Sequence, residues 1–127
     1  MDEDKLNRLP PDVKKQFVKL ALKLSEKKKK SQVHDDFLSF VKHVWPEFIE
    51  GAHHKKIAEK FNRLAKGEVK RLIINMPPRH TKSEFASFLL PSWMVGRKPD
   101  LKIIQTTHTT ELAIRFGRKA KTLMDSP

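Results

Sequence analysis

The sequence predicts an α/β protein in which N-terminal helices lead into a parallel sheet. Three observations carry this. Apolar residues recur at helical spacing through the first half of the chain. At Arg71 that spacing gives way to a compact apolar run with a β-branched centre, Arg71-Leu72-Ile73-Ile74-Asn75-Met76. Beyond it the elements alternate as strand, loop, helix, turn, strand and helix, the cadence of parallel pairing, where each crossover supplies a helix.

Each element follows from its residues. Asp12, after Pro10-Pro11, is placed to cap a first helix, whose Val13, Phe17, Leu20 and Leu24 form one stripe. Lys27-Lys28-Lys29-Lys30 reads as a solvated linker, dividing a basic N-terminal segment (1–30) from a main body (31–127). A second helix fits Asp36 to about Val44 and stops at Trp45-Pro46, since the residue before proline is pushed out of the α region. A third fits His53 to Ala65, with Gly67 as its left-handed stop. Residues 71–76 read as a buried strand and Pro77-Pro78-Arg79-His80-Thr81 as a loop. A helix follows from Lys82, closed or kinked near Pro91. Gly96 to Asp100 is a turn, Leu101 to Thr107 a second strand, and Thr110 caps a last helix bearing Leu112, Ala113, Phe116, Ala120 and Leu123.

Composition narrows the chemistry. With 127 residues the chain is one domain or part of one. It contains no Cys, which excludes disulfides and thiolate metal sites. Lys plus Arg number 27 against 15 Asp plus Glu, a net charge of +12 that favours a polyanionic partner. No apolar run approaches the ~20 residues of a membrane span, and the polar N-terminus does not resemble a secretory signal, so an intracellular protein is expected. The six histidines show no metal-ligand spacing. Trp45 and Trp93 sit at helix ends, where core edges are expected rather than base-stacking platforms.

The informative stretch is Ile73 to Glu84. A phosphate-binding loop needs a buried strand, a tight turn and a helix that opens with Lys-Ser or Lys-Thr. The turn aims backbone N–H groups at the anion, and the helix N-terminus adds partial positive charge. Lys82 and Ser83 fall where a phosphate-contacting lysine and a Mg²⁺-binding hydroxyl belong. The glycines of the G-x-x-x-x-G-K-[ST] frame do not: Met76 holds the first glycine position and Thr81 the last. An ordinary strand-to-helix turn with solvated Lys82 and Ser83 fits the same pattern. Arg79 and His80 add cationic donors.

The wording from Gly67 through Pro77-Pro78-Arg79-His80-Thr81-Lys82-Ser83 resembles the glycine-poor Walker A region of tailed-phage terminase large subunits, the motors of viral genome packaging. Pro91-Ser92-Trp93, Gly96 to Asp100, and Ala113 with Phe116-Gly117-Arg118-Lys119 look like the same family's downstream segments. Ala52-His53-His54-Lys55-Lys56-Ile57 looks like its adenine-recognition segment. The resemblance covers roughly residues 37–127. It implies the N-terminal part of an incomplete P-loop NTPase sheet, RecA/ASCE-like, that binds ATP with Mg²⁺. The phosphate cradle would be Pro78, Arg79, His80, Thr81, Lys82 and Ser83. Lys82 would contact the β- and γ-phosphates, Ser83 would hold Mg²⁺ and Arg79 would sense the γ-phosphate. His53 would sit near the adenine, with His54 as the alternative if the register is off by one. The implied partners are double-stranded DNA, the terminase small subunit, the portal protein of the procapsid and further copies in a ring. The implied place is the host bacterial cytoplasm, at the procapsid portal, with no membrane and no place in the finished virion.

Hydrolysis also needs a carboxylate on Mg²⁺ and a base for water. No apolar run ending in Asp-Asp or Asp-Glu is present, and neither is the acidic cluster of the family's C-terminal nuclease. The expectation is a segment truncated before Walker B, with weak or absent nucleotide binding and no turnover alone. The competing reading is a basic nucleic-acid-binding or regulatory module that uses charge and binds no nucleotide.

Overall fold

The computed structural model describes residues 10–126. The acidic start of the N-terminal segment, residues 1–9, lies outside the described residues. The chain divides after Gln32 into two compact units.

Helix α1, Pro11–Asp35, occupies the described part of the first unit and runs into the second. Pro11 opens it, a position where its missing N–H costs nothing. The Lys27–Lys30 run, expected as a linker, lies inside this helix, because lysine is a good helix former. None of the side chains of α1 is buried, and the stripe of Val13, Phe17, Leu20 and Leu24 is exposed.

The second unit is a helical core. Helix α2 is Phe37–Val44 and helix α3 is Ala52–Ala65. Residues 82–97 form one helical run, α4: α-helical at Lys82–Glu84, π-helical at Phe85–Leu89 and α-helical again at Leu90–Arg97. Helix α5 is Thr110–Met124.

Asp36 caps α2, accepting from the Ser39 N–H at 2.7 Å. Burial alone would raise the Asp36 carboxyl; hydrogen bonds from Asn62 and Ser39 outweigh it and hold it below its ordinary value. Asn62 bridges α3 to this cap, donating to Asp36 Oδ1 at 2.7 Å and accepting from the Phe37 N–H at 2.9 Å. Gly67 ends α3 with φ 80°, and the Glu68 and Gly67 N–H groups return to the Arg63 and Leu64 carbonyls, each at 3.0 Å. Those two bonds make a Schellman stop.

Pro91 neither closes nor sharply breaks α4. Its ring crowds the preceding turn, and that turn widens: the Leu90 N–H reaches the Phe85 carbonyl five residues back. Ser92 Oγ then donates to the Phe88 carbonyl at 2.8 Å. The helix proceeds to Arg97. The cap of α5 is Thr109 rather than Thr110, its side chain accepting from the Leu112 N–H.

The core gathers Phe37, Val41, Ala58, Phe61, Phe85, Leu89 and Trp93. Trp93, expected at a core edge, is fully buried, and its indole N–H donates to the Val33 carbonyl at 3.1 Å. Phe37 meets the rings of Phe61, Phe85 and Trp93 edge-on, with centroids 5.0, 5.4 and 5.5 Å away.

The parallel sheet is not there. Among the described residues no strand forms, so the α/β, RecA/ASCE-like P-loop expectation is corrected to an all-helical fold. Residues 71–77 and 101–107 carry no regular structure and form no ladder with one another. A strand is defined by its partner's backbone, and two lone strands make a marginal sheet. Residues 71–76 are held by side chains instead. Leu72 and Ile74 pack against the helical core, while Ile73 between them is 86% exposed. In the second segment Ile104 is 91% exposed. The β-branched runs supply the local preference for extension, but no neighbour completes it.

Candidate functional site

The loop between residues 71–76 and α4 carries the features singled out from sequence. It borders an open depression of about 300 Å³ lined by Pro77, Pro78, Arg79, Thr81, Lys82, Ser83 and Glu84. Two non-glycine residues take left-handed backbone there: Arg79 at φ 65° and Thr81 at φ 57°. For Thr81 this is costly, because a β-branched residue in that region crowds its own backbone. It is also what the frame asks of the position, which a glycine would fill without strain.

Lys82 starts α4, and its Nζ folds back to the Met76 carbonyl at 3.3 Å, spanning the loop from exit to entrance. Ser83 and Arg79 are exposed. His80 is exposed as well, its Nδ1 donating to the Pro78 carbonyl at 2.9 Å. Glu84 is the one carboxylate in the lining. Lys119 of α5 holds both of its oxygens at 2.9 Å, so it is already engaged.

Of the two histidines at the start of α3, His54 reaches the loop. It is buried, only 6% exposed, with its Nε2 2.6 Å from Thr81 Oγ1 and its Nδ1 2.9 Å from the Gly51 nitrogen. The Gly51 N–H can only donate, so Nδ1 accepts and the ring proton sits on Nε2. Nε2–H then donates to Thr81 Oγ1, and the Thr81 hydroxyl donates to the His80 carbonyl at 2.6 Å. Burial, then the neighbouring His53, push the His54 ring below its ordinary pKa, which favours this neutral form. The rings of Phe48 and Phe85 flank it at 4.8 and 5.1 Å.

His53 is half-buried, its ring centroid 3.8 Å from that of His54 and 5.7 Å from that of His80. Gly51 makes this gathering possible: a Cβ there would meet His53 Cε1 at 2.9 Å. No group of metal-holding side chains occurs among the described residues. No helix among them is long and apolar enough to cross a membrane.

The structure therefore assembles Pro78, Arg79, Thr81, Lys82 and Ser83 around one cavity, and leaves His80 and His53 outside its lining. The sequence hid two relations: the His54–Thr81 bond and the Lys119–Glu84 pair. The signal for the first was a β-branched residue where a glycine was due, which needs restraint from elsewhere.

No family model, curated protein or solved structure matches this chain.

Proposed function

We propose that the loop at residues 77–83 binds the phosphates of a nucleoside triphosphate with Mg²⁺, as the ATP-binding segment of a terminase-like DNA-packaging motor. The observation that carries this is the cavity itself, where Arg79, Lys82 and Ser83 surround one space beside two left-handed residues. Turns of this kind converge backbone N–H groups on an anion, and the start of α4 adds partial positive charge. Lys82 supplies the charge to the β- and γ-phosphates, Arg79 a second cation and Ser83 a hydroxyl for Mg²⁺. His53 remains the candidate for a base contact.

Binding is expected to be weak and turnover absent. Pro77 and Pro78 offer no N–H to the anion. Glu84, occupied by Lys119, is not free to orient water. Duplex DNA, a small subunit, a portal and further copies of the chain are the partners this reading carries. The exposed lysines of α1 suit non-specific contact with DNA phosphates.

The test is calorimetric titration of the chain with Mg-ATP and with inorganic tripolyphosphate. Lys82→Ala is expected to weaken both at least tenfold, with no phosphate release in either protein. Equal binding by the variant refutes the reading. Salt-sensitive DNA binding without any nucleotide binding favours a charge-only module built on α1.

A further inference from the structure

Thr81 poses a physical problem that the fold has answered. A β-branched residue at φ 57° relaxes toward ordinary backbone unless something restrains it. The restraint comes from α3, twenty-seven residues upstream, through the 2.6 Å contact of His54 Nε2 with Thr81 Oγ1. The His54 ring is fixed in turn. Gly51 N–H holds Nδ1, and the rings of Phe48 and Phe85 lie against it, with centroids 4.8 and 5.1 Å away. Phe85 belongs to α4, the helix that Lys82 opens, so one ring ties α3, the loop and α4 together.

We propose that His54 is a positioning residue for the phosphate loop: donating from Nε2 to Thr81 Oγ1, it holds the left-handed turn that a glycine would otherwise supply. This rests on the phosphate-binding reading above. It gives His54 a role that does not depend on the base of the nucleotide, unlike a contact with adenine. Neutrality of the ring is part of the device, because a proton on Nδ1 would oppose the Gly51 N–H. The charged and titratable groups around the ring are His53 and His80, which disfavour its proton, and Glu50, which favours it. Glu50 is itself paired with Lys42 and Lys55.

A double-substitution cycle tests the proposal, with Mg-ATP and tripolyphosphate as the probes. His54→Ala is expected to weaken both about tenfold and by the same factor. In a Thr81→Gly background, where left-handed backbone is free of strain, His54→Ala is expected to change either affinity less than about twofold. His54→Gln, which keeps a donor near Nε2, should retain more affinity than His54→Ala. Loss confined to Mg-ATP, or equal loss in both backgrounds, overturns the proposal. Long-range ¹H–¹⁵N spectra of the His54 ring give a readout independent of binding. Nε2 protonation at neutral pH is expected, and an Nδ1-protonated ring overturns the clamp itself. Wild-type protein that binds neither probe while showing the expected ring signature refutes the phosphate reading and with it the positioning role, but not the contact.

Discussion

Phe37 is where the core of the second unit is most exposed to a single substitution. Its side chain is 0% exposed and meets three aromatic rings edge-on, Phe61 from α3 and Phe85 and Trp93 from the second and third segments of α4. Removing a buried phenyl ring costs about 3–5 kcal/mol, through lost transfer energy and the cavity left behind. Each edge-to-face pair is worth roughly 0.5–1.5 kcal/mol beyond burial, so Phe37→Ala should fall at the upper end of that range. Seven apolar side chains form the buried core cluster among the described residues, a small core that places this unit near the low end of the ~5–15 kcal/mol typical of domains. Phe37→Ala is then expected to leave the unit largely unfolded at 25 °C. Phe37→Leu keeps most of the volume but loses the ring geometry, and should cost roughly 1–2 kcal/mol. Urea unfolding followed by tryptophan fluorescence, which reports Trp93 in the core and Trp45 packed against it, and by far-ultraviolet circular dichroism reads both variants. A midpoint for Phe37→Ala within about 1 kcal/mol of wild type, at unchanged slope, would refute the placement of Phe37 at the centre. The consequence reaches the loop, because Phe85 packs on Phe37 and on His54 alike.

Two further outcomes follow from particular contacts. The Asp36 carboxyl is held below its ordinary value of 3.8, so its contribution to stability is present above about pH 4 and lost as pH falls through the lower folded value. Asp36→Ala should cost roughly 1–2 kcal/mol at pH 7, and its thermal unfolding curve should approach that of wild type as pH falls from 3.8 through the lower folded value; a gap that does not narrow on acidification contradicts the assignment. Arg79 is left-handed, exposed and without a hydrogen bond among the described residues, so Arg79→Gly should stabilise the fold by about 0.5–1 kcal/mol while weakening tripolyphosphate binding. Urea unfolding and calorimetry on the same variant check both, and a loss of stability would show that the guanidinium has a structural partner.

The helices were legible because their signals are local. Asp36 as a cap, the apolar face of α3 and Gly67 as its stop all act within a few residues, and the sequence carries them in full. The absence of a sheet is not legible in the sequence, because extension and strand pairing differ only in what lies alongside. Leu72, Ile73 and Ile74 favour extended backbone, but the chain takes no regular structure there, and alternate side chains rest on the helical core rather than beside a neighbouring strand. The continuation of α4 past Pro91 is hidden from the sequence for a related reason. Proline forbids one hydrogen bond, and a helix that can widen a turn absorbs the loss, as residues 85–89 do. Trp93 and Lys119 depend on partners sixty and thirty-five residues away, which no local pattern reveals.

The loop belongs to both categories, and that explains its form. Its residue types were readable, since cations and a hydroxyl at helix-opening spacing point to an anion wherever they occur. Its geometry was not, because the glycine expected before Lys82 is absent and the sequence alone suggests a strained or failed turn. The fold keeps the left-handed turn and transfers the cost. Thr81 takes the conformation a glycine would adopt, and a buried histidine on another helix bonds to its hydroxyl. A glycine turn is permissive by its own chemistry and needs nothing else; a threonine turn depends on its surroundings. Here those surroundings are Gly51, His54, Phe48 and Phe85, themselves seated on the aromatic cluster around Phe37. The shape of the loop is therefore coupled to the stability of the core. Any condition that charges His54 or loosens Phe37 should disturb the cavity at residues 77–84.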